Sequence, residues 1–393
     1  MSAPSYSTRE MIDRLVSFDT TSRNSNLALI DFAANYLESH GVTSVQVTSD
    51  DGNKANLFAT LKSDGTHDPK QGGVVLSGHT DVVPVDGQPW TTDPFTVTEK
   101  DNRLYGRGVC DMKSFLAVAL AAVPRFVTGD LQRPVHLALS YDEEVGCLGA
   151  PRLVQWMADE GIRPALVVVG EPSTMRVVTT HKGIRTFRVE ITGREAHSSA
   201  SGDGVNAITI AARLIDFLNN VAREMCEKDA QDDRFTPPHS TINIGSIEGG
   251  TAVNIIARRC TFSWEYRPLP VMADPTPEVR LEHFVRDVIL PEMRSIAPEA
   301  DVRIIPDAQV HAFLGKNGSP AETLALMLAN QNETIGVSYT TEAGLFQNAA
   351  MESVVCGPGD IAQAHKPDEF IELSQIDLCE QFMERVLAYA TGP

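Results

Sequence analysis

Apolar residues recur along this chain in two rhythms. Near its start, Ser7 and Glu10 bracket a first turn, and Met11, Ile12, Leu15 and Val16 follow at helical spacing. That pattern predicts a helix from about residue 8 opened by a capping box. A second helical stretch covers Leu27 to Ser39, with Gly41 where a left-handed residue would end it. Apolar runs at 73–77, 135–140, 165–169 and 353–356 have strand length, and helical patterns such as 113–126 and 150–158 separate them. This alternation predicts an α/β sheet with helices on both faces.

The middle of the chain keeps a different order. Gly183 to Ile191 is strand-like, and Val205 to Met225 carries Ile208, Ala211, Ile215, Leu218 and Val221 at helical spacing. Strand candidates at 240–247 and 253–266, a helix at about 277–296 and a strand at 301–305 follow. The order β-α-β-β-α-β is that of a ferredoxin-like α+β unit. It predicts a domain at 181–308 inserted into a discontinuous one formed by 1–180 and 309–393. Pro-rich patches at 236–238 and 268–277 read as loops, and no internal repeat interrupts the scheme.

Composition narrows the class. A chain of 393 residues with 42% hydrophobic content suits two linked domains. Charged Arg9, Glu10, Asp13 and Arg14 make the first segment a helix rather than a signal peptide, and no stretch approaches the ~18 apolar residues of a membrane span. Cysteines at 110, 147, 226, 260, 356 and 379 are not spaced as zinc knuckles or a disulfide frame, and read as the reduced thiols of a cytoplasmic protein. The net charge of −19 disfavours nucleic acid and anionic membrane as partners and mildly favours cationic ligands and divalent metals.

Chemistry-bearing residues cluster just after the predicted strands. Gly73 to Ser77 leads to His79-Thr80-Asp81, and Val135 to Tyr141 leads to Asp142-Glu143-Glu144. The run at 165–169 leads to Glu171, the run at 353–356 into a Gly/Pro loop and then His365, and Asp111 lies in the loop before the 113–126 helix. In an open sheet the carboxyl ends of parallel strands share one edge, so these residues can converge there. Two histidines with several carboxylates suit zinc and tolerate cobalt or manganese. One bridging carboxylate, with a histidine and a carboxylate on each side, would hold two metals. The pair Glu143-Glu144 then has a chemical sense: one binds metal while its neighbour stays free as a base. In His-x-Asp, a carboxylate two residues on can orient the imidazole. Taken singly, each piece also has a plain reading as a solvated polar residue.

Ser77-Gly-His-Thr-Asp81, Gly106-Arg-Gly-Val-Cys-Asp-Met-Lys113, Asp142-Glu-Glu-Val-Gly146, Gly170-Glu-Pro-Ser173 and Ala364-His-Lys-Pro-Asp-Glu369 resemble the zinc-dependent aminoacylase and carboxypeptidase metallohydrolase family. Within it, Tyr141 to Gly149, Gly250 to Ile256, Thr341 to Phe346 and Cys356 to Asp360 look like the acetylornithine deacetylase branch. The resemblance implies a metallohydrolase domain with a mixed, mainly parallel sheet and an inserted dimerisation or lid domain. It implies two Zn²⁺ per chain, one on His79, Asp111 and Glu171 and the other on Asp111, Glu144 and His365, with Co²⁺ or Mn²⁺ as substitutes. Asp81 would orient His79, and Glu143 would be the catalytic base. His197, in Gly193-Arg-Glu-Ala-His-Ser-Ser199, would donate to the developing oxyanion, while Asn254 and Arg267 would hold substrate. His197 also has a plain reading as a surface-loop histidine, and Asn254 and Arg267 as strand-end residues paired within their own domain. The peptide bond after Asp111 is expected to be cis, and a homodimer is expected, with His197 acting within its own chain or from the partner.

The reaction that follows is hydrolysis of the amide bond of an N-acyl amino acid, a small-molecule substrate for which N2-acetyl-L-ornithine is the first choice. Deacylation of another N-acyl amino acid, or a metallocarboxypeptidase or dipeptidase activity, uses the same machinery. A catalytically silent metal-binding homologue is the alternative of another class, and the free Glu143 speaks against it. A two-metal phosphatase lacks a basic cluster to hold phosphate.

Overall fold

The computed structural model describes residues 3–62, 68–228, 231–271 and 276–392. It resolves into two compact units. The first comprises the chain up to Thr180, Phe313–Gly336 and the chain from Thr341 on, and the second His181–Ala312 with Val337–Thr340. The second unit thus runs past residue 308, because the strand Asp301–Val310 pairs along its length with Ile184–Thr192.

In the first unit, Val74–His79 lies parallel to Val135–Ser140 on one side and to Leu166–Pro172 on the other, and Leu166–Pro172 is in turn parallel to Ser353–Gly357. These four strands are buried from end to end, as a parallel layer covered on both faces must be. Ala55–Leu61 and then Ser44–Thr48 extend the sheet antiparallel at one side, and Val178–His181 pairs antiparallel with Ser353–Gly357 at the other.

Alternate residues of the strands face opposite layers. Leu76, Leu137, Leu139 and Val168 share a core with Leu116, Leu120 and Phe382 of the helices Lys113–Ala121 and Leu373–Thr391. On the other face Phe58 meets Trp156 of the helix Ala150–Asp159, ring centroids 5.2 Å apart. Each such burial stabilises by roughly 1.5–3 kcal/mol. The first helix is Thr8–Val16 with its capping box formed, and the second is Leu27–Ser39 followed by left-handed Gly41. The helix expected over 113–126 is two, Lys113–Ala121 and Val123–Thr128. Pro124 has no N–H for the carbonyl of Leu120, and the chain turns there.

The second unit is an antiparallel sheet ordered Thr241–Gly249, Arg259–Arg267, Ile184–Thr192, Asp301–Val310. One face carries Val189, Ile191, Phe262 and Trp264 against Leu214 and Leu218 of the helix Ala207–Lys228, with Leu281 and Ile289 beside them. The helix expected at 277–296 contains a π-helical turn at Val285–Ile289. Pro291 offers no N–H to the carbonyl of Asp287, which fits the wider turn. The strand expected from 253 starts at Arg259, since Ile255 pairs with His197 and Ile256 N–H donates to the Ala196 carbonyl (2.9 Å) instead. Of the Pro-rich patches, 236–238 and 268–271 are irregular, and 272–275 lie outside the described residues. No described helix is long and apolar enough to cross a membrane. All six cysteines are free thiols.

Candidate active site

The parallel strands of the first unit bring their carboxyl ends to one edge, and the residues singled out in sequence gather there. His79 ends Val74–His79 and is buried; its Nε2 lies 3.0 Å from Asp111 Oδ1 and 3.4 Å from Glu171 Oε1. His365 stands across the same carboxylate, with Nε2 3.4 Å from Asp111 Oδ2 and 3.0 Å from Glu144 Oε2. Each oxygen of Asp111 therefore faces a different histidine, and each histidine faces a further glutamate. Two glycines permit this packing. A Cβ at Gly78 would lie 2.4 Å from the Met112 methyl, and one at Gly170 2.1 Å from the Phe115 ring.

Asp81 meets more than one neighbour. His79 Nδ1 lies 3.0 Å from the main-chain oxygen of Asp81 and 3.5 Å from its carboxylate. That carboxylate accepts hydrogen bonds from Ser22 Oγ (2.7 Å) and from the backbone N–H groups of Glu143 (3.1 Å) and Glu144 (3.3 Å). One side chain thus ties the His79 strand end to the glutamate loop.

Glu369 and Arg107, which stand inside sequence motifs without a role of their own, hold the Asp111 loop. Glu369 accepts from the N–H groups of Cys110 (2.9 Å) and Asp111 (3.1 Å) and from Arg107 Nη1 (2.7 Å). Arg107 also donates to Gln88 Oε1 (2.6 Å) and lies over the Trp90 ring. The peptide bond after Asp111 is cis, as the resemblance implied. Glu342 is buried near His79, bonded by Ser140 Oγ at 2.6 Å, and burial pushes its carboxyl up to about 7.

The electrostatics describe a carboxylate cluster short of positive charge. Burial and then Asp111 push Glu171 up to about 8 and Glu144 up to about 7, while burial and then Glu171 hold Glu143 well above the usual carboxylate range. Hydrogen bonds to Asp111 and Glu144 raise His365 to about 11. Burial opposes charge on His79, but Glu171, Asp111 and Asp81 hold it well above its ordinary value. Bound cations would offset the mutual repulsion of carboxylates buried this closely. Glu171 Oε1 is buried without a hydrogen bond among the described residues, as an atom meant for a metal would be. Ligand atoms within 4.8 Å of one another form two groups that could hold an ion, His79-Glu143-Glu171 and His79-Asp111-Glu144. His365 stands outside both, although its Nε2 faces Glu144 and Asp111 directly.

Residues 75–389 match the model described as Peptidase family M20/M25/M40. The chain belongs to this family. As an M20/M25/M40 peptidase-family member it is a hydrolase. It is 35% identical over 394 residues to the acetylornithine deacetylase of Myxococcus xanthus, covering 98% of this chain and 97% of that one. Its fold is similar to that of a tripeptidase from Staphylococcus aureus (TM-score 0.74, 18% identity, 98% of each chain). A dinuclear metal-binding peptidase from Bacillus subtilis is also similar in fold (TM-score 0.60, 13% identity, 97% of this chain and 98% of that one).

His197, Asn254 and Arg267 lie on the second unit. Ser198 N–H donates to the Asn254 carbonyl (3.0 Å), so the His197 and Asn254 segments run side by side. The Ser199 N–H reaches His197 Nδ1 (3.2 Å), with Ser199 Oγ 2.7 Å away. Nδ1 therefore accepts, and the ring proton of the neutral histidine sits on Nε2 as a donor. Arg267 Nε donates to Glu265 Oε1 at 3.1 Å, a pairing within its own strand.

Proposed function

We propose that this hydrolase cleaves the amide bond of an N-acyl amino acid, N2-acetyl-L-ornithine first among them, in the cytoplasm and as a homodimer. The observation that carries the reading is the Asp111 carboxylate set between His79 and His365, each backed by its own glutamate, with Glu143 beside them. Similarity along nearly the whole chain to a named acetylornithine deacetylase supports the choice of substrate.

His79, Asp111 and Glu171 would hold one Zn²⁺ and Asp111, Glu144 and His365 a second, with Co²⁺ or Mn²⁺ as substitutes. When bound, such a pair supplies Lewis acidity at the acyl carbonyl and makes a neighbouring water acidic near neutral pH. Glu143 would take the proton from the attacking water and return it to the departing α-amine. His197 donates from Nε2 to the oxyanion of the tetrahedral intermediate. Asn254 and Arg267 hold the substrate, Arg267 by turning its guanidinium from Glu265 to the α-carboxylate. The net charge of −19 favours a substrate with a cationic side chain.

The test is amine release by the zinc-loaded protein from a panel of N-acyl amino acids and dipeptides. Turnover is expected on N2-acetyl-L-ornithine and little on dipeptides. Cleavage of dipeptides alone would make the protein a peptidase, and no turnover on any member with zinc, cobalt or manganese would sink the reading.

A further inference from the structure

The loop from Tyr141 to Gly149 folds back on itself. The N–H groups of Gly146 and Cys147 both reach the Glu143 carbonyl (2.9 and 2.8 Å), Leu148 N–H reaches Asp142 and Gly149 N–H reaches Tyr141. This closure returns the Cys147 side chain to Glu143, where its Sγ lies 3.5 Å from Oε1. Among the described residues no other group donates to the Glu143 carboxylate. Cys147 is buried, and its backbone is left-handed, with φ 56°. Glycine suits that conformation best, because a Cβ there crowds the following carbonyl. A side chain therefore stands where the backbone alone favours none, and the atom it presents is the one that touches Glu143.

We infer that Cys147 is a positioning residue for the catalytic carboxylate: its thiol holds Oε1 of Glu143 and leaves Oε2 directed at the reacting atoms. The inference rests on the base assignment made above. A carboxylate that serves two proton transfers in one turnover works best in a single orientation. A thiol has one proton to give and is a weak donor, so it can restrain the carboxylate without holding it as firmly as a cation would.

The test compares Cys147→Gly, Cys147→Ala and Cys147→Ser in the metal-loaded enzyme. The Gly and Ala variants are expected to lower kcat roughly tenfold, the scale of one hydrogen bond to a charged group, with KM and metal content unchanged. The Ser variant, which keeps a donor, restores most of the loss. In crystals of the Gly variant the Glu143 carboxylate should occupy more than one orientation, against one in the parent. The left-handed φ makes the Gly variant safe to fold, so a cysteine that only fills space would change melting temperature and leave kcat alone. Gly and Ala variants with kcat within about twofold of the parent and an ordered Glu143 would overturn the positioning role. If Glu143→Ala is inactive while the Cys147 variants behave normally, only this inference falls; if Glu143→Ala stays active, the base assignment falls with it.

Discussion

Glu143 and Glu144 are adjacent in sequence, yet their side chains meet different partners. Glu144 faces His365 at 3.0 Å, whereas Glu143 meets the Cys147 thiol. The proposed ligand and the proposed base, separated by one peptide bond, can be told apart by mutation. Glu143→Ala should keep the full metal content and lose about 10²–10⁴-fold in kcat, the range of general-base contributions. Metal analysis beside steady-state kinetics checks it, and a near-normal kcat would remove Glu143 from the mechanism. His79, Asp111, Glu144, Glu171 and His365 could be singled out from sequence because they stand at or beyond the ends of apolar runs or in the loops that lead from them, at the edge where ligands gather. Arg107, Glu369, Cys147 and Glu342 could not be given roles that way. Arg107 meets Glu369 across 262 residues and Glu342 meets Ser140 across 202, and no local pattern encodes such pairings; the Cys147 thiol reaches Glu143 because the loop between them folds back.

At the scale of elements, Val135–Ser140 shows what a fully buried strand imposes on a titratable side chain. His136 points to the face occupied by Phe58, ring centroids 5.4 Å apart, and its Nδ1 lies 3.0 Å from Thr60 Oγ1 while Nε2 is buried without a hydrogen-bond partner among the described residues. Burial pushes it from an ordinary value of 6.5 down to about 4. Between those values the unfolded chain binds a proton that the folded strand refuses, so stability falls as pH drops through 6.5 towards 4. At pH 5 that amounts to at most about 2 kcal/mol relative to pH 7. Urea unfolding at the two pH values, in chelator so that metal loss adds nothing, should show His136→Phe losing less than the parent by this amount. Equal losses would show that His136 is not the acid-sensitive group. The strand itself was legible as an apolar run, but not the start of the next sheet's second strand. Val253, Ile255 and Ile256 look like strand residues, yet Val253 is fully exposed and the others pair with the His197 segment. Apolar pattern marks what can pair, while partner geometry decides with what.

Across the whole molecule, the proposed oxyanion donor lies on one unit and every proposed metal ligand on the other. His197→Ala should lower kcat by about 10²–10³-fold without loss of metal, the usual effect of removing one oxyanion donor. If a partner chain supplies His197, mixing Glu143→Ala with His197→Ala protein should recover activity, because a mixed dimer rebuilds one site from two intact halves. Recovery, read by kinetics after subunit exchange, would place His197 in the partner's site. Failure to recover, with mixed dimers shown to form, would place His197 in the same chain as its metals. By itself, the sequence determined the alternation of strands and helices, the β-α-β-β-α-β order of the middle segment and the family, because these rest on local periodicity and on short motifs whose spacing survives without coordinates. Only the tertiary structure decided which oxygen of Asp111 faces which histidine, that Asp81 clamps the glutamate loop through backbone N–H groups, and that a thiol touches Glu143. The first two sets of contacts join segments far apart in the chain and the third depends on how one loop closes; sheet order and packing set that geometry, which no local pattern carries.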